Sequence, residues 1–212
     1  MESQYKAIIF DYDGVITDTE SFRATVLNEL IEPYGKRIPQ GDDSIVGKKT
    51  HHYLKETFPD LTEEQTTTIR KLWRQKRLER PTPLVPGVKD VITYAQSNAK
   101  TAITTGSSKE AVAQTLEHHA IKAFDALVTG EDFDTSKPDP ECYRLALERL
   151  GLEPGRALVI EDSAAGIRAG KAAGCTVYGL GTYHDEQSLL KAGADQYFRD
   201  HHSLLEGLKK AI

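Results

Sequence analysis

Short apolar runs at residues 7–10, 101–105, 126–128, 157–160 and 176–180 each lead into Gly, Asp or Ser and then into a helix-favouring stretch, and this alternation leaves the chain few ways to fold. Runs without polar alternation belong to strands buried on both faces, which are parallel strands covered by helices. The stretches near residues 109–119, 140–150 and 164–173 are long enough to be the right-handed crossovers that parallel strands require. The pattern predicts an α/β fold with a doubly wound parallel sheet. Between residues 10 and 101 lies far more chain than one crossover helix needs, and the sequence from residue 20 to 79 is polar and helix-favouring with no convincing strand. An inserted helical domain over residues 17–83 is therefore expected, leaving residues 1–16 and 84–212 as the core. Its exits fall in the loop after Gly14 and in Arg80-Pro81-Thr82-Pro83-Leu84-Val85-Pro86-Gly87, whose prolines forbid a continuous helix. The last dozen residues read as a terminal helix.

Open α/β sheets bind ligands outside the carboxyl ends of their strands, so the residues just after each run are where chemistry is expected. Asp11 and Asp13, two apart at a strand end, point to one side, and Gly14 lets the chain turn away. Glu161 and Asp162 add two carboxylates at another strand end. Four crowded carboxylates repel unless they take up protons or a cation neutralises them, and an oxygen-ligated Mg²⁺ is the economical answer. Thr105 offers a hydroxyl, and the amides of Gly106 and Ser107, expected at a helix start, offer donors to an anion. Lys137 precedes Pro138, read as the first helical position, and can meet both a phosphate and the acidic cluster. Together these groups suit phosphoryl transfer: one Asp attacks phosphorus, the other handles the proton, and donors and cations hold the phosphate. Alone, Asp-x-Asp-Gly could be a turn or part of a calcium loop, though the acidic residues that complete an EF-hand are absent, and Glu161-Asp162 could simply cap the next helix.

With the motifs in this order the chain resembles the haloacid dehalogenase-like hydrolases, in the branch of phosphoglycolate phosphatase and β-phosphoglucomutase. The family's first motif stands here as Asp11-Tyr12-Asp13-Gly14-Val15-Ile16-Thr17-Asp18-Thr19, its hydroxyl motif at Thr105, its lysine motif at Lys137-Pro138 and its acidic motif at Glu161-Asp162; Pro86-Gly87-Val88 matches as well. The resemblance implies a Rossmann-like core with a helical cap inserted after the first strand. It also implies Mg²⁺ on Asp11, Asp13, Asp162 and Glu161, with Asp13 contributing its backbone carbonyl, Asp11 as nucleophile and Asp13 as acid/base. The activity implied is a Mg²⁺-dependent phosphatase acting on a small phosphomonoester of the sugar phosphate, phosphoglycolate or nucleotide type. Dehalogenases of the family lack the second aspartate, so Asp13 disfavours C–Cl chemistry. A β-phosphoglucomutase-like mutase is the enzymatic alternative. That mutase carries a histidine where ungapped alignment puts Arg23, and an arginine cannot switch a proton near neutral pH, whereas it can bind phosphate. A sensor that binds a phosphometabolite without turnover is the alternative of another class. Lys48 and Lys49, after Gly47 in the insertion, are candidates for reaching substrate.

The charge balance argues against a nucleic-acid partner: 27 basic against 32 acidic residues, a net of −5. Cys142 and Cys175 build neither a disulfide framework nor a Cys-x-x-Cys pair. With no secretory start, membrane-spanning run or lipidation signal, the expectation is a cytoplasmic protein, a monomer or weak homodimer, handling a small phosphorylated metabolite. The pairs His51-His52, His118-His119 and His201-His202 read as solvated rather than zinc-binding, since neighbours on a helix diverge by about 100°. Residues 70–80, with Trp73, read as an exposed helix bearing one apolar stripe.

Overall fold

The computed structural model describes residues 4–39, 45 and 50–212. Among the described residues six strands form one sheet: β1 (Ala7–Asp11), β2 (Lys100–Thr104), β3 (Ala126–Val128), β4 (Ala157–Glu161), β5 (Thr176–Leu180) and β6 (Gln196–Phe198), in the order β3-β2-β1-β4-β5-β6. Every neighbouring pair is parallel. The order runs outward in both directions from β1 and β4, so the topological switch point, where such sheets open a crevice, lies between these two strands. Asp11 is in register with Thr104, and Phe10 with Ile160, which brings the ends of β1, β2 and β4 side by side.

Alternation along β1 serves both faces. Ile8 and Phe10 join a core with α4 (Val88–Asn98), α5 (Lys109–His118) and α9 (His201–Ala211), through Val91, Ile92, Val112, Leu204 and Leu208. Ala7 and Ile9 join the opposite core with α6 (Glu141–Leu150), α7 (Ala164–Ala172) and α8 (Glu186–Ala192), through Tyr143, Leu147, Ile167 and Leu189. Each fully buried aliphatic chain contributes roughly 1.5–3 kcal/mol, so the apolar runs that announced the strands also supply the core.

The sixth strand has no counterpart among the apolar runs of the sequence. Gln196 is exposed and its two followers only half-buried, so no periodic signal marks it. Asp195 places it instead: its amide donates to the Val177 carbonyl (2.8 Å), and its carboxylate accepts from the Val177 amide (2.7 Å) and from Lys171 (2.7 Å).

The chain divides into two units, Met1–Thr17 with Leu84–Ile212, and Asp18–Pro83. Thr17, expected at the start of the insertion, belongs with the sheet: its amide and hydroxyl both donate to the Tyr12 carbonyl (2.9 and 3.2 Å). The second unit contains α1 (Thr19–Ile31), α2 (Thr50–Thr57) and α3 (Glu63–Glu79) around Val26, Leu27, Ile31, Tyr53, Leu54, Ile69 and Trp73. Trp73 supplies the apolar stripe read in residues 70–80, and Ile69, four residues earlier on α3, extends it. Thr62 and Gln65 close a capping box at the start of α3, and Lys76 and Arg80 reach Glu29 of α1 at 3.2 and 2.6 Å.

Candidate active site

The carboxyl ends of β1, β2 and β4, together with the loop before α6, bring Asp11, Asp13, Thr105, Ser107, Lys137, Glu161 and Asp162 within a few hydrogen bonds of one another. Lys137 is the hub. Its Nζ donates to Asp11 Oδ1 at 2.5 Å and to Glu161 Oε1 at 2.7 Å, and it lies 4.8 Å from the centroid of the Tyr143 ring. The lysine side chain is 15% exposed and that of Glu161 is 1%, so solvent screens these pairs little.

The lysine arrives by a different route from the one its sequence suggests. The Lys137-Pro138 bond is cis, and α6 begins only at Glu141 with Pro140 at its N-cap, so Pro138 precedes the helix rather than opening it. The hydroxyl loop departs in the same way. Ser108, whose side chain accepts from the Ala111 amide, caps α5, so Gly106 and Ser107 stand before the helix and not in its first turn. The Ser107 amide donates to Thr105 Oγ1 (2.9 Å), and the two hydroxyls converge on Asp13 Oδ2, Thr105 from 3.1 Å and Ser107 from 2.9 Å. Asp11 is thus held by a cation and Asp13 by two neutral donors. That difference suits one carboxylate to attack and the other to exchange a proton.

Glu161 and Asp162 have unlike surroundings. Glu161 Oε1 accepts from Lys137 and from the Tyr143 hydroxyl (2.8 Å), while Oε2 accepts from the Ser163 amide and hydroxyl (both 3.0 Å). Helix α7 passes so close that a Cβ at Gly166 would fall 1.6 Å from Glu161 Oε1. Asp162 lies against Gly14 (φ 91°), where a Cβ would fall 2.0 Å from Asp162 Oδ2; glycine is required there both for the left-handed turn and for the approach.

Electrostatically the cluster holds more negative charge than its lysine balances. Oxygens of Asp11, Glu161 and Asp162 lie within 4.8 Å of one another, and all three residues are buried. Burial pushes the Asp11 carboxyl up to about 8; Lys137 pulls the other way, and the charges of Glu161 and Asp13 add to the rise. Asp162 is raised well above the carboxylate range by burial, then by Glu161 and Asp11. Burial works to lower the Lys137 ammonium, yet Asp11 and Glu161 outweigh it and hold the group well above its ordinary value. Crowded, buried, oxygen-only donors in excess of their cation fit a hard divalent metal ion.

Tyr143 and Ser163 are the site residues that sequence reasoning missed. The available signal was Tyr143 in the first turn of the helix that follows the lysine motif, a polar-tipped aromatic at the end of Lys137-Pro138-Asp139-Pro140-Glu141-Cys142-Tyr143. Arg23 lies on α1 in the helical unit, paired with Glu20 (2.5 Å) and donating to the Ile45 carbonyl. Lys48 and Lys49 fall outside the described residues. The expectation of solvated histidine pairs fails at His201, which is buried and donates from Nε2 to the Val15 carbonyl at 2.7 Å. None of the described helices is long and apolar enough to cross a membrane.

A doubly wound sheet with an aspartate pair, a buried lysine and an acidic pair gathered at its switch point defines a protein built to handle an anionic ligand beside a cation. The family model for haloacid dehalogenase-like hydrolases matches residues 8–180, and the chain belongs to that family of enzymes. It is 33% identical over 204 residues to the phosphorylated carbohydrates phosphatase of Thermotoga maritima, covering 89% of this chain and 92% of that protein. It is 30% identical over 185 residues to the fructose-1-phosphate phosphatase of Escherichia coli, covering 82% and 95%. Among solved structures, a Thermotoga maritima protein described as a candidate β-phosphoglucomutase superposes with a TM-score of 0.82 at 30% identity, over 98% of this chain and all of that one.

Proposed function

We propose that this chain is a Mg²⁺-dependent phosphatase that hydrolyses a small phosphorylated carbohydrate through an aspartyl-phosphate on Asp11. The observation that carries the reading is the Lys137 ammonium shared between Asp11 and Glu161 beside an Asp13 held by two hydroxyls: nucleophile, cation and acid/base meet at one strand-end crevice.

In the first half-reaction an Asp11 oxygen bonds to phosphorus as the bond from phosphorus to the ester oxygen breaks, and Asp13, as the carboxylic acid, gives its proton to the departing alkoxide. In the second, Asp13 takes a proton from water as the water oxygen bonds to phosphorus. The acyl-phosphate bond then breaks, returning the Asp11 carboxylate and releasing inorganic phosphate. Thr105, the Gly106–Ser107 loop and Lys137 receive the phosphoryl oxygens, with the lysine supplying a fixed positive charge where negative charge accumulates.

Asp11 and Asp162 are the carboxylates that would hold Mg²⁺, with the Asp13 carbonyl assigned by family resemblance. The bound ion supplies charge neutralisation and polarisation of the phosphoryl group. Glu161 is better read as the anchor of Lys137 than as a ligand, because both its oxygens already accept hydrogen bonds. The names of the two phosphatase relatives support a phosphorylated carbohydrate as the substrate.

Release of phosphate from a panel of phosphorylated sugars, nucleotides and phosphoglycolate, with Mg²⁺ and with EDTA, tests the reading. Mg²⁺-dependent turnover of a sugar phosphate is expected, and absence of turnover across the panel would leave the sensor alternative in its place. The description of the Thermotoga structure favours the mutase as the second reading. Supplying β-glucose 1-phosphate with glucose 1,6-bisphosphate separates the two: phosphate release should dominate, whereas isomerisation tenfold faster than release would establish the mutase.

A further inference from the structure

We propose that Tyr143 is a positioning residue for the phosphoryl-binding lysine, a role that rests on the phosphatase reading above. A buried lysine with a flexible four-carbon stem needs more than charge to occupy one place, because its ammonium can pivot between acceptors. Tyr143 constrains it twice. The phenol ring lies 4.8 Å from Lys137 Nζ, within cation–π range, and the hydroxyl donates at 2.8 Å to the same Glu161 Oε1 that accepts from the lysine at 2.7 Å. Lysine, glutamate and tyrosine therefore form a closed triangle, with the tyrosine fully buried in the α6 face of the core.

The hydroxyl has a second consequence. With Tyr143 and Lys137 on Oε1 and Ser163 on Oε2, every Glu161 oxygen is occupied, so the glutamate stays turned toward the lysine and leaves Asp11 and Asp162 to face a cation. Removing the hydroxyl frees part of Oε1, and the anchor of the lysine loosens. Tyr143 touches neither phosphate nor water in this scheme; it acts through Glu161 and Lys137.

Tyr143→Phe keeps the ring and deletes only the donor. Calorimetric titration of the Mg²⁺-loaded protein with inorganic phosphate should show affinity weakened by three- to tenfold, while Mg²⁺ affinity measured without phosphate changes by less than twofold. Tyr143→Leu, which also deletes the ring, should weaken phosphate binding further. The decisive readout is a double-mutant cycle: in a Lys137→Met background, Tyr143→Phe should cost no additional phosphate affinity, because the group it positions is gone. Lys137→Gln, which likewise removes the cation, serves the same cycle where Lys137→Met does not fold. Phosphate affinity within twofold of the parent in Tyr143→Phe, or an equal loss in both backgrounds, overturns the positioning role while leaving the phosphatase reading intact. A parent that neither binds phosphate nor turns over any phosphomonoester overturns both.

Discussion

Glu161 and Asp162 are adjacent carboxylates at the end of one strand, yet one is saturated with donors and the other faces Gly14 and Asp11. Asp162→Ala should therefore weaken Mg²⁺ by tenfold or more in a calorimetric titration, and Glu161→Gln by much less; equal affinities for parent and Asp162→Ala would refute the ligand assignment. Asp11, Asp13, Thr105, Lys137 and Asp162 were legible because each stands just past an apolar run or at a Pro- or Gly-marked turn, where side chains must face the crevice. What sequence could not show is the pairing among them. Glu161 meets both a lysine and a phenol brought from α6, and Tyr143 lies in a helix face whose apolar pattern announces core, its position after the lysine motif being the one other signal.

Helices and turns fix these side chains, and two joints carry testable strain or charge. Gly14→Ala would force a Cβ into Asp162 at a left-handed turn (φ 91°), so it should destabilise the fold by about 1–3 kcal/mol and weaken Mg²⁺ as well. Chemical denaturation and calorimetry on the same variant check both effects, and an unchanged Mg²⁺ affinity would separate the turn from the site. His201 ties the start of α9 to the loop after β1: Nε2–H donates to the Val15 carbonyl, and Nδ1 is buried with no partner among the described residues. Burial lowers its pKa below the ordinary 6.5, so protonation favours the unfolded chain. The stability it permits is fully present above pH 6.5 and declines as pH falls through 6.5 toward the lowered folded value. Denaturation midpoints should fall between pH 7.5 and 5.5 in the parent and fall less in His201→Gln; identical slopes would assign the loss to other groups. At this scale the sequence was informative for five strands and silent for β6, because an edge strand held by Asp195 through hydrogen bonds needs no apolar run. Its helical stretches near residues 109–119 and 140–150 match α5 and α6, but the placing of Gly106–Ser107 and of Pro138 at helix starts fails, because Ser108 and Pro140 occupy the caps.

For the molecule as a whole, the doubly wound order of the sheet puts the switch point between β1 and β4, the two strands whose ends carry the acidic residues, and strand-end patterning in the sequence was enough to anticipate that convergence. The Asp18–Pro83 unit lies where excess length and the prolines of its return put an insertion; of the candidate residues placed in it, Arg23 is bound to Glu20 and the Ile45 carbonyl, and Lys48 and Lys49 lie outside the described residues. A cation that binds only the folded cluster should stabilise the whole chain by mass action, about 2.7 kcal/mol at a hundredfold excess over its dissociation constant. Mg²⁺ should then raise Tm by roughly 5–10 °C for a chain of this size. EDTA should reverse the rise, and Asp162→Ala should abolish it; the same rise in the variant would place the ion elsewhere. The central claim is that Asp11 attacks phosphorus, and the direct measurement is Mg²⁺-dependent hydrolysis of p-nitrophenyl phosphate by the parent and by Asp11→Asn, which keeps size and removes the nucleophilic carboxylate. The account predicts turnover in the parent and a loss of at least a thousandfold in the variant, about 4 kcal/mol of transition-state stabilisation; a variant within tenfold of an active parent would contradict it.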